Sequence, residues 1–555
     1  MQSEVIVVGL DGATFDMIGP LAERGELPNF ARLLAEGAWA PLSSTVPPVS
    51  PQAWSSFLTG VHPGQHGVFG FLGQPQGRYY RRPIRSARDM QAPTLLQIAG
   101  EAGRRVAALG IPMTYPPAPV NGVLVPEQQG PPLSTPPALW QEMVAAVGDP
   151  RDQATHIRYA FTEDKRGYVA RQRELIDVQR RAAHWLLDRE RYDLFIVVWT
   201  ALDRMGHFLW RYGDPTHPAH RPEWAAALGS ALEDAYRQLD AALGELWERL
   251  APGGTLMVMS DHGFGPLHRR FHANLWLREH GLLALRPLAF RLASVRYPMP
   301  VLRGWNAFAR RTGLPHAAIP FENWQKPIAR HLYDPRPFII SSMLIDWPRT
   351  RVYSGAADEH GIRINLRGRE PLGIVSPGAE YERLRRQLQE ELLAFPDPRD
   401  GQPLLRAVRL REEVYSGPYI ERAPDLVIEM REPTCAPTSE LFAPAIVHQS
   451  VRGSGTHRPE GICLLAGPHV LPGARLAQPA IVDLAPTLLH LLGVPTPAAM
   501  EGRVLHEAFE PDWWAAHPET RVSYAGEVEP SAEAGLTREE AARVEAHLRG
   551  LGYIG

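Results

Sequence analysis

The stretch "EVIVVGLDG", residues 4–12, is a run of apolar, mostly β-branched residues that ends on an aspartate and a glycine. A run of this length and composition is typical of a strand that is buried on both faces of a sheet. Similar runs occur at Arg104–Ile111, Asp193–Thr200, Gly254–Ser260, Asp425–Met430 and Gly461–Gly467. Amphipathic helical segments, such as Ala231–Leu250, lie between them. This alternation predicts an α/β fold in which helices sandwich a mostly parallel sheet.

The chain is long enough for a large core with insertions, since 44% of its 555 residues are hydrophobic. We expect the core to occupy residues 1–286 and 348–510. Residues 287–347 are rich in Arg, Trp and Pro without a strand pattern, which indicates a cap or insertion. After it, residues 350–366 favour strands and residues 379–395 a helix. Residues 511–555 are predicted to form a C-terminal tail, with a helix that a capping pattern starts at Thr537.

Composition excludes several classes of protein. The formal net charge of −3 argues against nucleic-acid binding beyond a nucleotide substrate. The N-terminal residues lack the features of a signal peptide, and no apolar run has the length of a membrane span. Two cysteines cannot supply a disulfide framework, so we expect a cytoplasmic protein. The oligomeric state cannot be predicted from these features.

Acidic residues and histidines follow or precede the apolar runs. In open α/β sheets, ligands bind beyond the carboxyl ends of the strands, where such side chains would meet. The residues in question are Asp11, Asp203, His207, Asp261, His262 and His457. Each alone has an ordinary explanation, such as a turn, a helix cap, a surface pair four residues apart or a loop histidine. Together they favour a site for two divalent metals, Zn²⁺ first and Mn²⁺ as the alternative.

A hydroxyl-rich loop, "TVPPVSPQAWSSFLTGVHPGQHG", spans Thr45–Gly67. It is either a surface loop with capping hydroxyls or the position of a nucleophile. Two metals favour the second interpretation, because coordination lowers the pKa of a serine or threonine hydroxyl and aligns it with a phosphorus atom.

The order of these motifs resembles the alkaline phosphatase superfamily, and most closely its type I phosphodiesterase/nucleotide pyrophosphatase branch. The similarity rests on Asp11, the loop ending "LTG..PG.HG", "D...H", "SDHG" and "GTHRP.G", and extends to "APDLVI" and "IVDLAPTLLHLLGVP". Residues 287–347 are the least similar. The resemblance implies an alkaline-phosphatase-like core that carries a cap.

The resemblance also implies the role of each ligand. One metal would be held by Asp11, Ser50, Asp261 and His262, and the other by Asp203, His207 and His457. Family members place the nucleophile ten residues before the glycine of "TG", and counting back from Gly60 gives Ser50. A helix starting just after Ser50, with Pro51 at its first position, would direct amide dipoles towards a phosphate. Ser50 could also simply cap that helix, and Thr45 is the next candidate for the nucleophile.

One position departs from the family pattern. An asparagine that binds a phosphate oxygen usually follows "HG", but this chain has Phe71 at the matching place. Asn274, Arg204 and Arg458 are candidates to replace it, although arginines beside ligands are often structural. Trp54 and Phe71 are candidates for apolar contact with the substrate, with a place in the core as the alternative.

The sequence therefore predicts a metal-dependent phosphodiesterase that hydrolyses a small-molecule phosphate ester through a serine phospho-enzyme. A phosphomonoesterase or phosphomutase-like enzyme is the alternative, and a non-catalytic metal-binding protein a further one. A sulfatase is disfavoured, because neither Cys435 nor Cys463 lies in the nucleophile loop.

Overall fold

The computed structural model of the chain describes residues 2–79, 82–127, 133–150, 165–286, 342, 344–355, 360–441, 443–450, 453–524 and 541. Within them, the central element is a seven-stranded sheet. In spatial order its strands are β2 (Ala38–Ser43), β16 (Glu460–Ala466), β6 (Leu250–Met259), β1 (Ser3–Leu10), β5 (Leu194–Trp199), β3 (Val106–Leu109) and β4 (Gly122–Val125). All neighbouring pairs are parallel except the two that β16 makes, which are antiparallel. The predicted mostly parallel sheet is confirmed.

Strand β1 shows why this sheet is covered on both faces. Val5 and Val7 belong to one hydrophobic core, whereas Ile6, Val8 and Leu10 belong to a second core. Because successive side chains of a strand point to opposite faces, both faces of β1 are buried. The continuous apolar run that marked β1 in the sequence follows from this double burial.

Helices pack on both faces of the central sheet, and others pack with the strands that follow it in sequence. In chain order the described helices are α1 (Phe15–Glu23), α2 (Pro28–Glu36), α3 (Ser50–Thr59), α4 (Pro63–His66), α5 (Leu95–Glu101), α6 (Leu139–Val147), α7 (Lys165–Arg189), α8 (Ala201–Gly213), α9 (Pro222–Leu228), α10 (Ala231–Trp247), α11 (Ala273–Glu279), α12 (Ala379–Leu393), α13 (Arg411–Val414), α14 (Leu484–Leu491) and α15 (Pro511–Ala516). The helices predicted within residues 231–250 and 379–395 are present as α10 and α12. Among the residues described above, no helix has the length and apolar character needed to cross a membrane.

A second sheet lies after the central one in sequence and has its own hydrophobic core. Its strands are β9 (Val352–Ser354), β10 (Gly361–Ile364), β11 (Leu405–Leu410) and β12 (Leu426–Met430), and they pair antiparallel in the order β11-β12-β10-β9. The assignment of Asp425–Met430 to the central sheet was therefore wrong. Leu426 and Val427 point to opposite faces of β12 and are buried in different hydrophobic clusters. Because both faces are buried, this strand is as apolar in sequence as a strand of the central sheet, and the apolar pattern cannot distinguish the two.

Three smaller sheets complete the described part of the chain. They contain β13 (Cys435–Thr438), β8 (Arg269–His272) and β14 (Val447–Gln449); β15 (Gly455–Arg458) and β7 (Gly263–Pro266); and β17 (Thr496–Pro497) and β18 (Arg521–Val522). Most of the predicted insertion at 287–347 lies outside the described residues, as does most of the predicted C-terminal helix. At the borders of the insertion, the Arg286 amide donates to the Leu344 carbonyl at 2.9 Å.

Candidate active site

Three adjacent parallel strands bring the predicted acidic residues together. Strand β1 lies between β5 and β6, so the carboxyl ends of all three meet at one edge of the sheet. Asp11 follows β1, Asp203 lies in the first turn of α8 after β5, and Asp261 with His262 follows β6. A backbone hydrogen bond of 3.0 Å from the Asp203 amide to the Asp11 carbonyl fixes the relative position of the first two.

His457 reaches the same place by a different route. It lies on β15, which pairs antiparallel with β7. Strand β7 begins directly after His262. The ring of His457 consequently stacks on the ring of His262, with centroids 3.8 Å apart and an interplanar angle of 16°.

Asp203, His207 and His457 form one compact group. Asp203 Oδ1 lies 3.3 Å from His207 Nε2 and 3.1 Å from His457 Nε2, and the two Nε2 atoms are 3.1 Å apart. In a tetrahedral zinc site, ligand atoms that lie about 2.0–2.1 Å from the metal are about 3.3 Å from one another. The spacing of these three atoms therefore fits three corners of a metal site.

Asp11, Asp261, His262 and Ser50 form the second group. His262 Nε2 lies 3.2 Å from Ser50 Oγ, 3.3 Å from Asp261 Oδ2 and 3.6 Å from Asp11 Oδ1. Within the described part of the chain, Asp11 Oδ1 and Asp261 Oδ2 are buried without a hydrogen-bond partner. Buried carboxylate oxygens of this kind are costly unless a cation compensates them, so this donor set also fits a divalent metal.

The three histidines present the same nitrogen to the site. Nδ1 of His207 faces the Gly455 carbonyl at 3.2 Å, Nδ1 of His262 the Gly263 carbonyl at 3.0 Å, and Nδ1 of His457 the Pro48 carbonyl at 2.8 Å. A carbonyl only accepts, so each Nδ1 carries the proton in the neutral ring. Each Nε2 then has a lone pair for a metal, which is the usual arrangement of histidine ligands.

The electrostatics of the site follow from three carboxyl groups buried close together. Burial, followed by the charges of Asp261 and Asp203, raises the pKa of Asp11 well above its usual range. Burial, followed by the charge of Asp203, raises the pKa of Asp261 to about 8. Burial, followed by the charge of His457, lowers the pKa of His262. The protein part alone thus favours protonated Asp11 and Asp261 and a neutral His262, whereas His207 and His457 hold the pKa of Asp203 well below its usual range. A divalent cation would reverse the penalty on ionised Asp11 and Asp261.

Ser50 is the first residue of α3, which begins one residue earlier than predicted, with Val49 as its N-cap. No side chain caps this end of the helix. The Ser50 hydroxyl faces His262 instead, so capping does not explain its presence. In the first turn of α3, Pro51 has no N–H and the Ala53 amide donates to the Val49 carbonyl at 3.0 Å, so the amides of Ser50 and Gln52 are the ones that an anion at this helix start could use.

Trp54 and Phe71 lie in the hydrophobic core, the alternative that the sequence left open for both. Trp54 is fully buried, and its indole Nε1 donates to Asp11 Oδ2 at 3.1 Å. Phe71 is 2% exposed and lies in the same hydrophobic core as Trp54. Trp54 lies on α3, whose residues are all buried. Trp54 instead orients a predicted metal ligand.

Asn274 does not face a phosphate either. Its amide nitrogen donates to the carbonyls of Ser354 and Ser439, and its oxygen accepts from the Ser354 amide at 2.7 Å. These bonds use the two hydrogens of the amide and join α11 to β9, which gives Asn274 a structural role.

The two arginine candidates also have structural partners. Arg204 pairs with Glu127 at 2.6 Å, and Arg458 donates to the Pro266 carbonyl at 2.7 Å. These contacts agree with the structural alternative that the sequence left open for both residues.

Phe264 and its glycine neighbours were missed by the sequence analysis. The Phe264 ring packs edge-on against His207, with centroids 4.9 Å apart. A Cβ on Gly206 would lie 2.7 Å from this ring, and one on Gly455 would lie 2.5 Å from it, so only glycine fits at either position. The motif "DHGFG" and the glycines beside both predicted histidines were the available signals.

Gly12 is required for the approach of the first two aspartates. It has a φ of +75°, and a Cβ there would lie 3.1 Å from the Asp203 Cα. The glycine after Asp11 therefore allows the loop after β1 to contact the start of α8.

Comparison with known proteins identifies the family. The family model "Type I phosphodiesterase / nucleotide pyrophosphatase" matches residues 5–457. Curated protein sequences gave no significant match.

Solved structures with a similar fold were also found. Human ectonucleotide pyrophosphatase/phosphodiesterase 5 has 14% identity and a TM-score of 0.48, over 90% of this chain and 97% of that chain. An inactive murine form in complex with AMP has 14% identity and a TM-score of 0.47, over 89% and 96%. Phosphonoacetate hydrolase from Sinorhizobium meliloti in complex with phosphonoformate has 14% identity and a TM-score of 0.49, over 89% and 96%. Because the family match covers most of the sequence, from β1 to His457, the chain belongs to the type I phosphodiesterase / nucleotide pyrophosphatase family.

Proposed function

We propose that this chain is a phosphodiesterase that needs two divalent metal ions and uses Ser50 as its nucleophile. Family membership supports the hydrolysis of phosphate esters. The observation that carries the proposal is the convergence of Ser50 Oγ, three imidazole Nε2 atoms and three buried aspartates.

Under this proposal, Asp11, Asp261, His262 and Ser50 hold one metal, and Asp203, His207 and His457 hold the other. When bound, the metals would supply Lewis-acid stabilisation of the charge on the serine and phosphoryl oxygens. Zn²⁺ suits the mixed nitrogen and oxygen donors, and Mn²⁺ is the alternative.

Ser50 carries the covalent step. Its Oγ forms a bond to phosphorus while the bond from phosphorus to the leaving alkoxide or aryloxide breaks, and the Ser50 proton leaves to solvent. The three Nε2 atoms would hold the metals under this proposal, so the mechanism assigns no histidine as the base. Water then attacks phosphorus, the Oγ–P bond breaks and Ser50 is regenerated. Two in-line displacements give overall retention at phosphorus.

Two features of the chain assist these steps. The start of α3 directs its backbone N–H groups to the region of Ser50, where negative charge increases on the phosphoryl oxygens. The hydrogen bond of His457 Nδ1 to Pro48 joins the nucleophile loop to a predicted metal ligand. Ser50 and the metal ligands are thereby held in one rigid unit.

Metal-dependent turnover of a simple diester tests the proposal. Protein stripped with a chelator and reloaded with Zn²⁺ or Mn²⁺ is expected to hydrolyse bis(para-nitrophenyl) phosphate, and the stripped protein is not. Turnover of para-nitrophenyl phosphate in preference to the diester would instead indicate a phosphomonoesterase or mutase-like enzyme. Absence of turnover of either ester by the reloaded protein would favour a non-catalytic metal-binding role.

A further inference from the structure

We propose that Arg270 binds a second anionic group of the substrate, in addition to the phosphoryl group that Ser50 attacks. This inference rests on the proposed function, since it assigns the class of substrate that the same site prefers. It predicts that the site prefers phosphodiesters in which the group that stays on phosphorus carries a carboxylate or a further phosphate.

The position of Arg270 in its sheet leaves room around its side chain. Arg270 lies on β8, opposite His448 of β14 and Ala436 of β13. Directly opposite residues place their side chains on the same face of a sheet. Ala436 contributes only a methyl group to that face, and His448 contributes a half-buried imidazole. The arginine therefore has a small neighbour and a basic neighbour, and no acidic one, in its own sheet.

Arg270 lies beside the backbone of a predicted metal ligand. A Cβ on Gly453 would lie 3.2 Å from Arg270 Nη2 and 3.8 Å from the His207 carbonyl oxygen. The Ser454 amide donates to the same carbonyl at 2.7 Å, which fixes this segment against α8. The guanidinium is consequently close to the side of the site that His207 and His457 form, whereas Ser50 contacts His262.

The contrast with Arg269 shows that Arg270 is available for a ligand. Arg269 forms ion pairs with Asp397 at 2.7 Å and Glu432 at 3.1 Å. Arg270 makes no ion pair and no side-chain hydrogen bond with any residue that the structure describes. An arginine that no carboxylate of the described residues neutralises attracts anionic ligands.

His360 is near Arg270 and His457. It is a non-glycine residue at a φ of +42°, a conformation that costs energy and is enriched at functional sites. Burial, followed by the positive charges of His457 and Arg270, lowers the pKa of His360 to about 3. His360 therefore adds a neutral imidazole near both residues, and Arg270 remains the cation of this region.

Guanidinium chemistry defines the ligand. The planar fork of arginine donates two parallel hydrogen bonds to a carboxylate or phosphate, and such charged bonds are the strongest that a side chain offers. A neutral aryl or alkyl group gains nothing from this position. The substrate class that fits is a diester with one additional anionic group on the part that remains bound to phosphorus.

A matched pair of substrates tests the proposal. The first is para-nitrophenyl phenyl phosphate, and the second carries a carboxylate on the phenyl ring, so the leaving group is the same. We expect the metal-loaded wild type to prefer the carboxylate ester in kcat/KM by about 10- to 100-fold, the range for hydrogen bonds to charged groups. Arg270→Ala should reduce this ratio to about one, and Arg270→Lys should retain part of it. Arg32→Ala, which removes an exposed charge on α2, should keep the wild-type ratio.

An unchanged ratio in Arg270→Ala would overturn the proposal, as would a wild type that does not distinguish the two esters. If the wild type hydrolysed neither ester, the proposed function would fail. A binding measurement would then still test whether Arg270 binds an anionic group. Calorimetry with metal-loaded Ser50→Ala protein should show phosphonopropionate binding at least 10-fold more tightly than propylphosphonate. Adding Arg270→Ala should remove that difference. Equal affinities with Arg270 present would reject the assignment independently of catalysis.

Discussion

The indole nitrogen of Trp54 donates a hydrogen bond of 3.1 Å to Oδ2 of Asp11. The other carboxylate oxygen of Asp11 faces His262 Nε2 at 3.6 Å. Trp54 therefore fixes the orientation in which Asp11 presents one oxygen to the site. Hydrogen bonds of this kind to metal-binding carboxylates set both the geometry and the affinity of a metal site.

Replacing Trp54 by Phe is expected to weaken metal binding by about 10- to 100-fold while the fold is retained, because Phe keeps most of the ring but lacks the donor. Metal titration of the stripped variant measures the effect. Trp276→Phe is the control, since Trp276 is also buried and lies in the core of the second sheet. Equal metal affinities for wild type and Trp54→Phe would show that the hydrogen bond is not needed.

Ser50→Ala is expected to lower kcat for the diester by on the order of 10²-fold or more without unfolding the protein. Ser55 provides a control on the same helix, because it is buried and its hydroxyl has no hydrogen-bond partner among the described residues. Ser55→Ala should have little effect on kcat. Near-normal turnover by Ser50→Ala would transfer the role of nucleophile to Thr45 or to water.

Much of this site could be predicted from sequence because strand ends are visible in the apolar pattern. Asp11, Asp203, Asp261 and His262 follow strands that are adjacent and parallel, so their proximity follows from topology. The resemblance to a known family then supplied the roles, which stay predictions, as does the cytoplasmic location.

Other features depend on contacts that spacing does not determine. The bond between Trp54 and Asp11 joins residues far apart in sequence, and the same holds for the bonds that Asn274 makes with Ser354 and Ser439. The structural contacts of Trp54 and Asn274 could therefore not be read from the sequence. Arg270 lies near the site through the pairing of β8 with two later strands, which no local pattern marks.

Stability of the metal-free protein is expected to fall as pH rises from 6.5 to 8. The unfolded chain releases the Asp261 proton near its ordinary pKa of 3.8, whereas the folded protein retains it to about pH 8, so rising pH favours unfolding across this range. The lowered pKa of His262 acts in the opposite direction, but only below its ordinary value of 6.5. Between pH 6.5 and 8, His262 therefore does not offset the loss of stability that Asp261 causes.

Thermal unfolding at several pH values checks this expectation. Tm of the stripped wild type should fall across the window, and the fall should be smaller in the metal-loaded protein and in stripped Asp261→Asn. Parallel Tm profiles for all three proteins would contradict the assigned protonation of Asp261.

Diesters are expected to be better substrates than monoesters with the same leaving group. The segment from Thr45 to Phe71 contains no Arg or Lys to bind the extra charge of a monoester. Val46, in the same loop, is 38% exposed and offers apolar contact for a second ester group. The ratio of kcat/KM for bis(para-nitrophenyl) phosphate and para-nitrophenyl phosphate measures the preference. A higher value for the monoester would contradict it.

The central claim is that six side chains and Ser50 hold two metals, and anomalous diffraction from crystals of the zinc-loaded protein tests it most directly. The account predicts two zinc peaks. One lies among Asp11, Ser50, Asp261 and His262, and the other among Asp203, His207 and His457. A single peak shared by all three histidines, or no peak at the carboxyl ends of β1, β5 and β6, would contradict the two-metal site.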